Sequence, residues 1–571
     1  LALPEVRAAI STWVPSHPIV SVGGNAGFAS YISAIDRLTR AVPDPRHDIG
    51  LRKPQPMMED TLEAEESGPF GAPLFDGPQA RALRRVGVID VGSNSVRLVV
   101  FDGAARSPAY FYNEKILCGL GAGLSESGRL NPEGRVRALA ALKRFAILAR
   151  GMEVNSLTAV ATAAVREAED GQAFESEVKS ETGLKLWVID GKEEARLSGQ
   201  GVLLGWPEAE GLMCDIGGSS MELAELKGGS VGATVSGKLG PLKLQGIKGK
   251  GARRSEIDAG IAAMAKQLGQ ERYDKIYLVG GSWRAIARVD MERRSYPLHV
   301  LHEYKMTPKD LRATLDFIAS EDISDLGKRT GTSSARMSLV PIAGEVLDRV
   351  VKTFRPKEIA ISSYGIREGL LYEQMPDVLR ARDPLIESCR ASEAAYARLP
   401  GFGRILYRFL HPLFARVPDR RRRLIRACCL LHDVSWRAHP DYRAEICFDN
   451  ATRANLGGLT HSERVYMGLA LLHRYRNKRE GTPFEALAPL LGEADTNQAE
   501  VVGKAMRFGA MFSAQDPALM GELKLYPKKG ILQLSLPKGD GEALFGEVAE
   551  ARFKSLASSL GVEGRVRVIK R

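Results

Sequence analysis

Two short passages of this chain read almost alike: "DVGSNS" at Asp90–Ser95 and "DIGGSS" at Asp215–Ser220, 125 positions apart (215 minus 90). Each follows an apolar run of strand character and precedes another, "VGVID" and "VRLVVF" around the first, "GLMC" and "MELAEL" around the second. Asp, aliphatic, Gly, small, small, Ser, twice in register, predicts two strand–turn–strand hairpins, one near the start of each half of a duplicated domain. A third glycine turn, Gly280–Gly281–Ser282, follows the strand-like "KIYLV". Such turns suit oxyanions, because Gly lets the backbone bend tightly and present N–H groups. Ser and Asn add hydroxyl and amide donors, and an Asp at a strand end holds Mg²⁺ or its water. The candidate phosphate-binding residues are therefore Gly92, Ser93, Asn94, Ser95, Gly217, Gly218, Ser219, Ser220, Gly280, Gly281 and Ser282, with Asp90 opposing Asp215 as metal ligands. The same residue types dominate ordinary turns, so the repetition in register carries the assignment.

Between the turns, "LTAVATAAVRE", "LKLWVIDGKEEARLSGQGVLLG" and "DKIYLVGGSWRAIARV" alternate strand-like and helical stretches, which is α/β punctuation. After about Arg380 the strands stop, and "RRRRLIRACCLLHDVSW" and "ERVYMGLALLHRY" carry apolar residues at helical spacing. Only "KGILQLSLP" and "GRVRVIK" look like late strands. A chain of 571 residues is too long for one core. The expected division is an N-terminal segment 1–84, a first lobe 85–205, a second lobe 206–378 and a mostly helical region 379–571. The first Met residues are Met57 and Met58, and Val42–Pro78 is rich in Pro, Gly and acids without periodicity. The expectation is that residues 1–84 are a disordered or spurious extension, with translation beginning at Met57 or Met58.

Net charge is +11, which favours an anionic partner. Charge alone does not choose among nucleic acid, an acidic membrane surface and a polyphosphate chain. No run of 18 apolar residues exists to span a membrane, and the basic stretches lack the aromatic interleaving that would support nucleic-acid binding. Six cysteines without a CxxC pair predict free thiols and a reducing, cytoplasmic setting. The loop Ser236–Arg254, with Lys238, Lys243, Lys248, Lys250, Arg253 and Arg254 among glycines, is a cationic track to which a long polyanion could be drawn.

The ordered set "IDVGSNSVRLVV", "ATAAVREAED", "GKEEARL", "DIGGSSMEL" and "SSYGIREGLLYE" resembles the exopolyphosphatase and guanosine pentaphosphate phosphohydrolase family, within the actin-like ATPase and sugar-kinase superfamily. The likeness spans roughly residues 84–375. It implies two actin-like (ribonuclease H-like) lobes around a cleft and a reaction in which water removes a terminal phosphate from inorganic polyphosphate or from pppGpp. By residue, it implies that Glu194 in "GKEEARL" activates the water and that Arg166 in "ATAAVRE" grips phosphate. It further implies that Asp215 and Glu222 lie near the metal, and that Arg336 is a further phosphate contact. Mg²⁺ as cofactor and a homodimer follow from the resemblance alone. Two departures stand out: Ser219 where the family has a third glycine, and Met221 where it has Thr. A helix opening would by itself favour acids at Glu193 and Glu194.

"LLHDVSWRAHPDYRAE" is similar to the metal-binding helix of HD-type phosphohydrolases, with His432 and Asp433 adjacent and His439 seven positions on (439 minus 432). His411, His461 and His473 show no convincing ligand spacing, so a degenerate HD-like module serving chain binding or dimer contacts is expected. The rival functions are a sugar or acetate kinase, for which "GKEEARL" fits less well, and a non-enzymatic regulator that binds polyphosphate or nucleotide.

Overall fold

The computed structural model describes residues 85–103, 106–269, 272–512 and 519–569; the expectations for residues 1–84 and for Met57 or Met58 lie outside them. Strands β1 (Val86–Val91), β2 (Ser95–Phe101), β3 (Tyr110–Leu117), β4 (Ser156–Ala161) and β5 (Leu186–Val188) form one sheet in the order β3-β2-β1-β4-β5. β1, β2 and β3 run antiparallel, whereas β4 and β5 run parallel to β1. The second sheet contains β6 (Gly211–Ile216), β7 (Met221–Lys227), β8 (Ser230–Gly237), β9 (Lys275–Val279), β10 (Lys305–Met306) and β11 (Glu358–Ile361), in the order β10-β11-β9-β6-β7-β8. Apart from the short β10, it repeats the plan of the first: an antiparallel meander followed by parallel strands. The duplication expected from the two hairpins is thus present in strand order as well as in sequence. Except for Asp90, β1 is apolar and buried, as strands covered on both faces are.

In each meander the residue seven places after the hairpin Asp stands directly opposite it. Asp90 pairs with Arg97, which pairs with Lys115; Asp215 pairs with Glu222, which pairs with Ser236. Directly opposed residues of antiparallel strands project from the same face. Each sheet therefore presents a three-residue row beside its hairpin, one acid and two cations on the first, two acids and a serine on the second.

The helix Gly191–Gly205 starts where the Asp190 carboxylate accepts the Glu193 N–H (2.8 Å), an N-cap of ordinary strength. It buries Ala195, Leu197, Val202 and Leu203, packing on β7, β8 and the helix Ile366–Glu373. The two helices cross at glycines: a Cβ on Gly369 would lie 1.8 Å from the Leu197 carbonyl oxygen, and one on Gly201 2.2 Å from that of Gly365. No side chain fits there, and the close crossing draws Glu194 and Arg367 toward one cleft.

Beyond Arg380, helices Pro384–Tyr396, Phe402–Leu410, Asp419–Leu431, Arg443–Arg453, His461–Tyr475 and Glu493–Gly509 enclose a core that includes Leu406, Ile425, Phe448, Met467 and Phe508. The two late strands expected are β13 (Ile531–Pro537) and β14 (Glu563–Ile569); β12 (Glu522–Tyr526), which sequence reasoning missed, completes their sheet. Among the described residues no helix is long and apolar enough to cross a membrane. His432 is buried with Nδ1 on the Cys429 carbonyl oxygen (2.8 Å), and both Asp433 oxygens accept from Arg398 (2.7 and 2.6 Å). His439 lies beside Asp441 on the exposed surface, and His473 turns to the Arg476 carbonyl oxygen. The HD pair is thus occupied by packing and an arginine fork, and among the described residues no three His, Cys, Asp or Glu side chains gather as a metal cage.

Candidate active site

The two hairpins are closed identically. Gly92 N–H donates to Ser95 O and Gly217 N–H to Ser220 O, each at 3.0 Å. Those two amides therefore serve their own turns. The hairpin tips meet at their serines, Ser93 Oγ and Ser219 Oγ lying 3.1 Å apart. Ser219, the departure from a third glycine, is thus the residue that joins the turns. Gly218 packs beside it, its Cβ position 3.5 Å from Ser93 Cβ.

A cavity of about 170 Å³ opens beside this joint, and its wall includes Gly92, Ser93, Gly217, Gly218, Ser219 and Ser220. Asp90 and Asp215 stand at its floor with Glu194, while Gly280, Arg284 and Arg367 close it. Gly280 holds φ +114°, and a Cβ there would fall 2.6 Å from the Ile216 carbonyl oxygen. The third turn is therefore pressed against the second hairpin. Gly281 and Ser282 stand behind it, outside the wall, and a Cβ on Gly281 would strike the Arg336 guanidinium at 2.7 Å. Asn94 and Ser95 also stay off the wall; Asn94 uses its carbonyl to accept from Cys118 and Gly119.

The neighbouring acids of "GKEEARL" diverge. Glu193 faces outward and pairs with Arg196 (2.7 Å). Glu194 faces the cavity with its side chain 12% exposed, and Oε2 lies 3.4 Å from Arg166 Nη1. Arg166 also donates to the Ile189 carbonyl oxygen (2.8 Å). Burial, the nearby Asp215 and Asp90 push the Glu194 carboxyl up to about 8, against the pull of Arg166. One helical turn on, Ser198 is buried and donates to Asp215 Oδ2 (2.6 Å). Burial raises Asp215 above the usual carboxylate range despite Ser198 and Arg284, and raises Asp90 despite Arg367 and Arg97. Glu222, 1% exposed, sits behind Asp215 with Oε1 accepting from Ser236 (2.9 Å). Burial and the charges of Glu194 and Asp215 push it well upward.

Facing these acids is a cationic cluster. Arg367 Nη1 reaches Asp90 Oδ2 at 3.3 Å, and Arg284 Nη1 is anchored on the Ser363 carbonyl oxygen at 3.1 Å. Desolvation together with Arg336, Arg97, Arg367 and Arg284 pushes the Lys115 ammonium down to about 8. Burial, Arg367 and Arg336 likewise lower Arg284 to about 10. Cations that depress one another across a small cleft have the electrostatics of an anion site, and carboxylates that raise one another have those of a cation site. The donor chemistry fits Mg²⁺, which takes one or two carboxylates and completes its shell with water and phosphate oxygens. Asp90 and Asp215, both on the cavity wall, are the carboxylates that would hold it.

Sequence reasoning missed Arg284, Arg367, Arg97, Lys115 and Ser198. Arg367 lay inside the quoted "SSYGIREGLLYE", and Arg284 two residues past Ser282. Arg97 was available from the repeat, as the position equivalent to Glu222. Behind the wall Glu368 is fully buried; its Oε2 accepts the Gly365 N–H (2.8 Å) and its Oε1 accepts from Tyr110 on β3 (2.9 Å). That pair ties the first sheet to the segment carrying Arg367.

The Ppx/GppA phosphatase family model matches residues 99–378, and the model described as exopolyphosphatase, C-terminal, matches residues 416–566. Exopolyphosphatase 1 of Mycobacterium tuberculosis is 26% identical over 304 residues, 51% of this chain and 88% of that protein. The guanosine-5'-triphosphate,3'-diphosphate pyrophosphatase of Vibrio cholerae is 24% identical over 478 residues, 80% of this chain and 92% of that protein. The crystal structure of an Aquifex aeolicus Ppx/GppA family member aligns at 24% identity and TM-score 0.45, covering 53% of this chain and 99% of that one.

Proposed function

We propose that this chain, which belongs to the Ppx/GppA phosphatase family, is an exopolyphosphatase that hydrolyses the terminal phosphate from inorganic polyphosphate. The observation that carries it is the cleft's division of charge at the joint of two phosphate-type hairpins. Glu194, Asp90 and Asp215 line the cavity together with Arg284 and Arg367, and Lys115 on β3 lies close enough to those arginines to be depressed by them. Glu194, once ionised, is the general base: it takes a proton from a water whose oxygen attacks the terminal phosphorus in line with the departing chain oxygen. Arg367, Arg284 and the hairpin serines hold the phosphate oxygens; Arg166 orients Glu194 while donating to the chain, and Arg336 supports the third turn. Mg²⁺, when bound through Asp90 and Asp215, supplies neutralising charge to the phosphate oxygens. Glu222 lies beside Asp215, held by Ser236.

Hydrolysis of pppGpp at the same residues is the second reading, supported by the Vibrio relative matching well into the C-terminal helices. The lobes 85–205 and 206–378, an accessory C-terminal region 379–571, a homodimer and a cytoplasmic setting belong to the same proposal. Phosphate release from long-chain polyphosphate and from pppGpp, each with Mg²⁺, tests it. Release from polyphosphate that Glu194→Gln abolishes is expected. Release from pppGpp alone would move the assignment to the nucleotide, and release from neither would overturn both.

A further inference from the structure

Where the second lobe meets the C-terminal helices lies another cavity, of about 350 Å³. Glu303 and Lys305 line one wall, and Arg420, Thr460, His461 and Ser462 the other. Glu303 is 5% exposed, and its Oε2 is buried without a hydrogen-bond partner. Its backbone sits at φ +68°, a left-handed conformation that a Glu rarely adopts. A buried carboxyl oxygen without a donor, on strained backbone, marks a place built for something it has yet to meet. Opposite, the Arg420 side chain is 70% exposed and pairs with Glu463 at 2.6 Å, while Lys305 reaches Glu358 at 3.1 Å.

These walls select a ligand. A bare cation drawn to Glu303 would face Lys305 and Arg420, and a bare anion drawn to Arg420 would face Glu303. A small zwitterion satisfies both: its protonated amine pairs with the Glu303 carboxyl, and its carboxylate, sulfonate or phosphate reaches the Arg420 fork.

The cavity also connects to the active site. Tyr296 OH donates to His461 Nδ1 (2.8 Å), and His461 Nε2 donates to the His302 carbonyl oxygen (3.1 Å). Burial and neighbouring cations push His302 down to about 3, so it is neutral, and its Nδ1 accepts the Ser363 N–H (3.3 Å). The Ser363 carbonyl oxygen in turn holds Arg284 at the phosphate cavity. We propose that this junction cavity is a regulatory site for a small amine-bearing anion, its occupancy transmitted through His461, His302 and Ser363 to Arg284.

The site itself is independent of the proposed hydrolysis, whereas the coupling rests on that function. Isothermal calorimetry on the full chain, without polyphosphate, uses β-alanine and taurine as probes, with methylammonium and acetate as the two halves. One zwitterion should bind once per chain, more tightly than either half. Glu303→Gln should weaken it tenfold or more, and so should Arg420→Gln, with thermal unfolding of each variant confirming that it folds. No zwitterion binding, halves that bind as well, or binding that neither variant moves would overturn the site. Bound zwitterion should shift the polyphosphate concentration for half-maximal release at least twofold. If the chain releases no phosphate, polyphosphate affinity serves as the readout, and an unmoved value would overturn the coupling.

Discussion

Glu194→Gln removes an ionisable oxygen from the centre of the acid cluster while keeping its volume. Loss of a general base should lower kcat by about 10²–10⁴-fold and leave polyphosphate binding nearly intact, since Arg284, Arg367 and the serines remain. The pH dependence is more telling. With the carboxyl held at about 8, only about a tenth of it is ionised at pH 7. At low Mg²⁺ the wild-type rate should therefore climb nearly tenfold per unit between pH 6 and 7 and level off above 8. Added Mg²⁺ shifts that limb downward. Stability carries the opposite sign. An acid whose folded value lies above its unfolded 4.5 leaves the unfolded state with fewer protons, so folding weakens as pH rises from about 4.5 to 8 and stays weakened above. The cost is on the order of a few kcal/mol. Glu194→Gln escapes it. By thermal unfolding at low Mg²⁺, the variant should match wild type near pH 4.5 and exceed its Tm near pH 8.5. A Tm difference that ignores pH, or a variant less stable at pH 8.5, would refute the electrostatic account of this cleft.

Arg367→Ala should raise the polyphosphate concentration for half-maximal release by tenfold or more, because the phosphate fork and the partner of Asp90 disappear together; steady-state kinetics measure it. Ser198→Ala frees the Asp215 oxygen it orients, so direct Mn²⁺ binding read by electron paramagnetic resonance should weaken tenfold, with Ser198→Thr restoring part of it. Gly369→Ala places a methyl 1.8 Å from the Leu197 carbonyl oxygen and should cost more than about 3 kcal/mol in urea unfolding. Lys115, lowered to about 8, loses its charge above that pH, so polyphosphate affinity should fall there in wild type, and Lys115→Met should flatten the fall.

The hairpins were legible because their chemistry is local: Asp, Gly and Ser in fixed order specify a turn wherever they occur, and recurrence specifies a pair. The fold class followed from the same source, since strand runs and their order are written along the chain. What stayed hidden depends on three-dimensional neighbours. Nothing in "DVGSNS" shows that Ser93 contributes to the wall and Asn94 does not, because that choice is made by the opposing Ser219. Nothing local distinguishes Glu193 from Glu194 either; the crossing at Gly201 and Gly369 decides which acid is turned inward. Arg284 and Arg367 look like ordinary helical arginines until the parallel strands bring their helix starts together. His432 and Asp433 show the converse, a motif whose letters persist while Arg398 takes both carboxylate oxygens.

The opposed rows Asp90–Arg97–Lys115 and Asp215–Glu222–Ser236 give the cleft a direction. Two copies of one fold with identical rows would accept a phosphate chain equally well in either sense. With two cations beside Asp90 in one row and Glu222 and Ser236 beside Asp215 in the other, the symmetry is broken. A polyanion approaching along Arg97 and Lys115 would meet attraction, and one approaching along Glu222 would meet repulsion. A duplicated scaffold that diverged at two pairs of matching positions, Arg97 with Glu222 and Lys115 with Ser236, thereby offers a phosphate chain two unlike directions of approach.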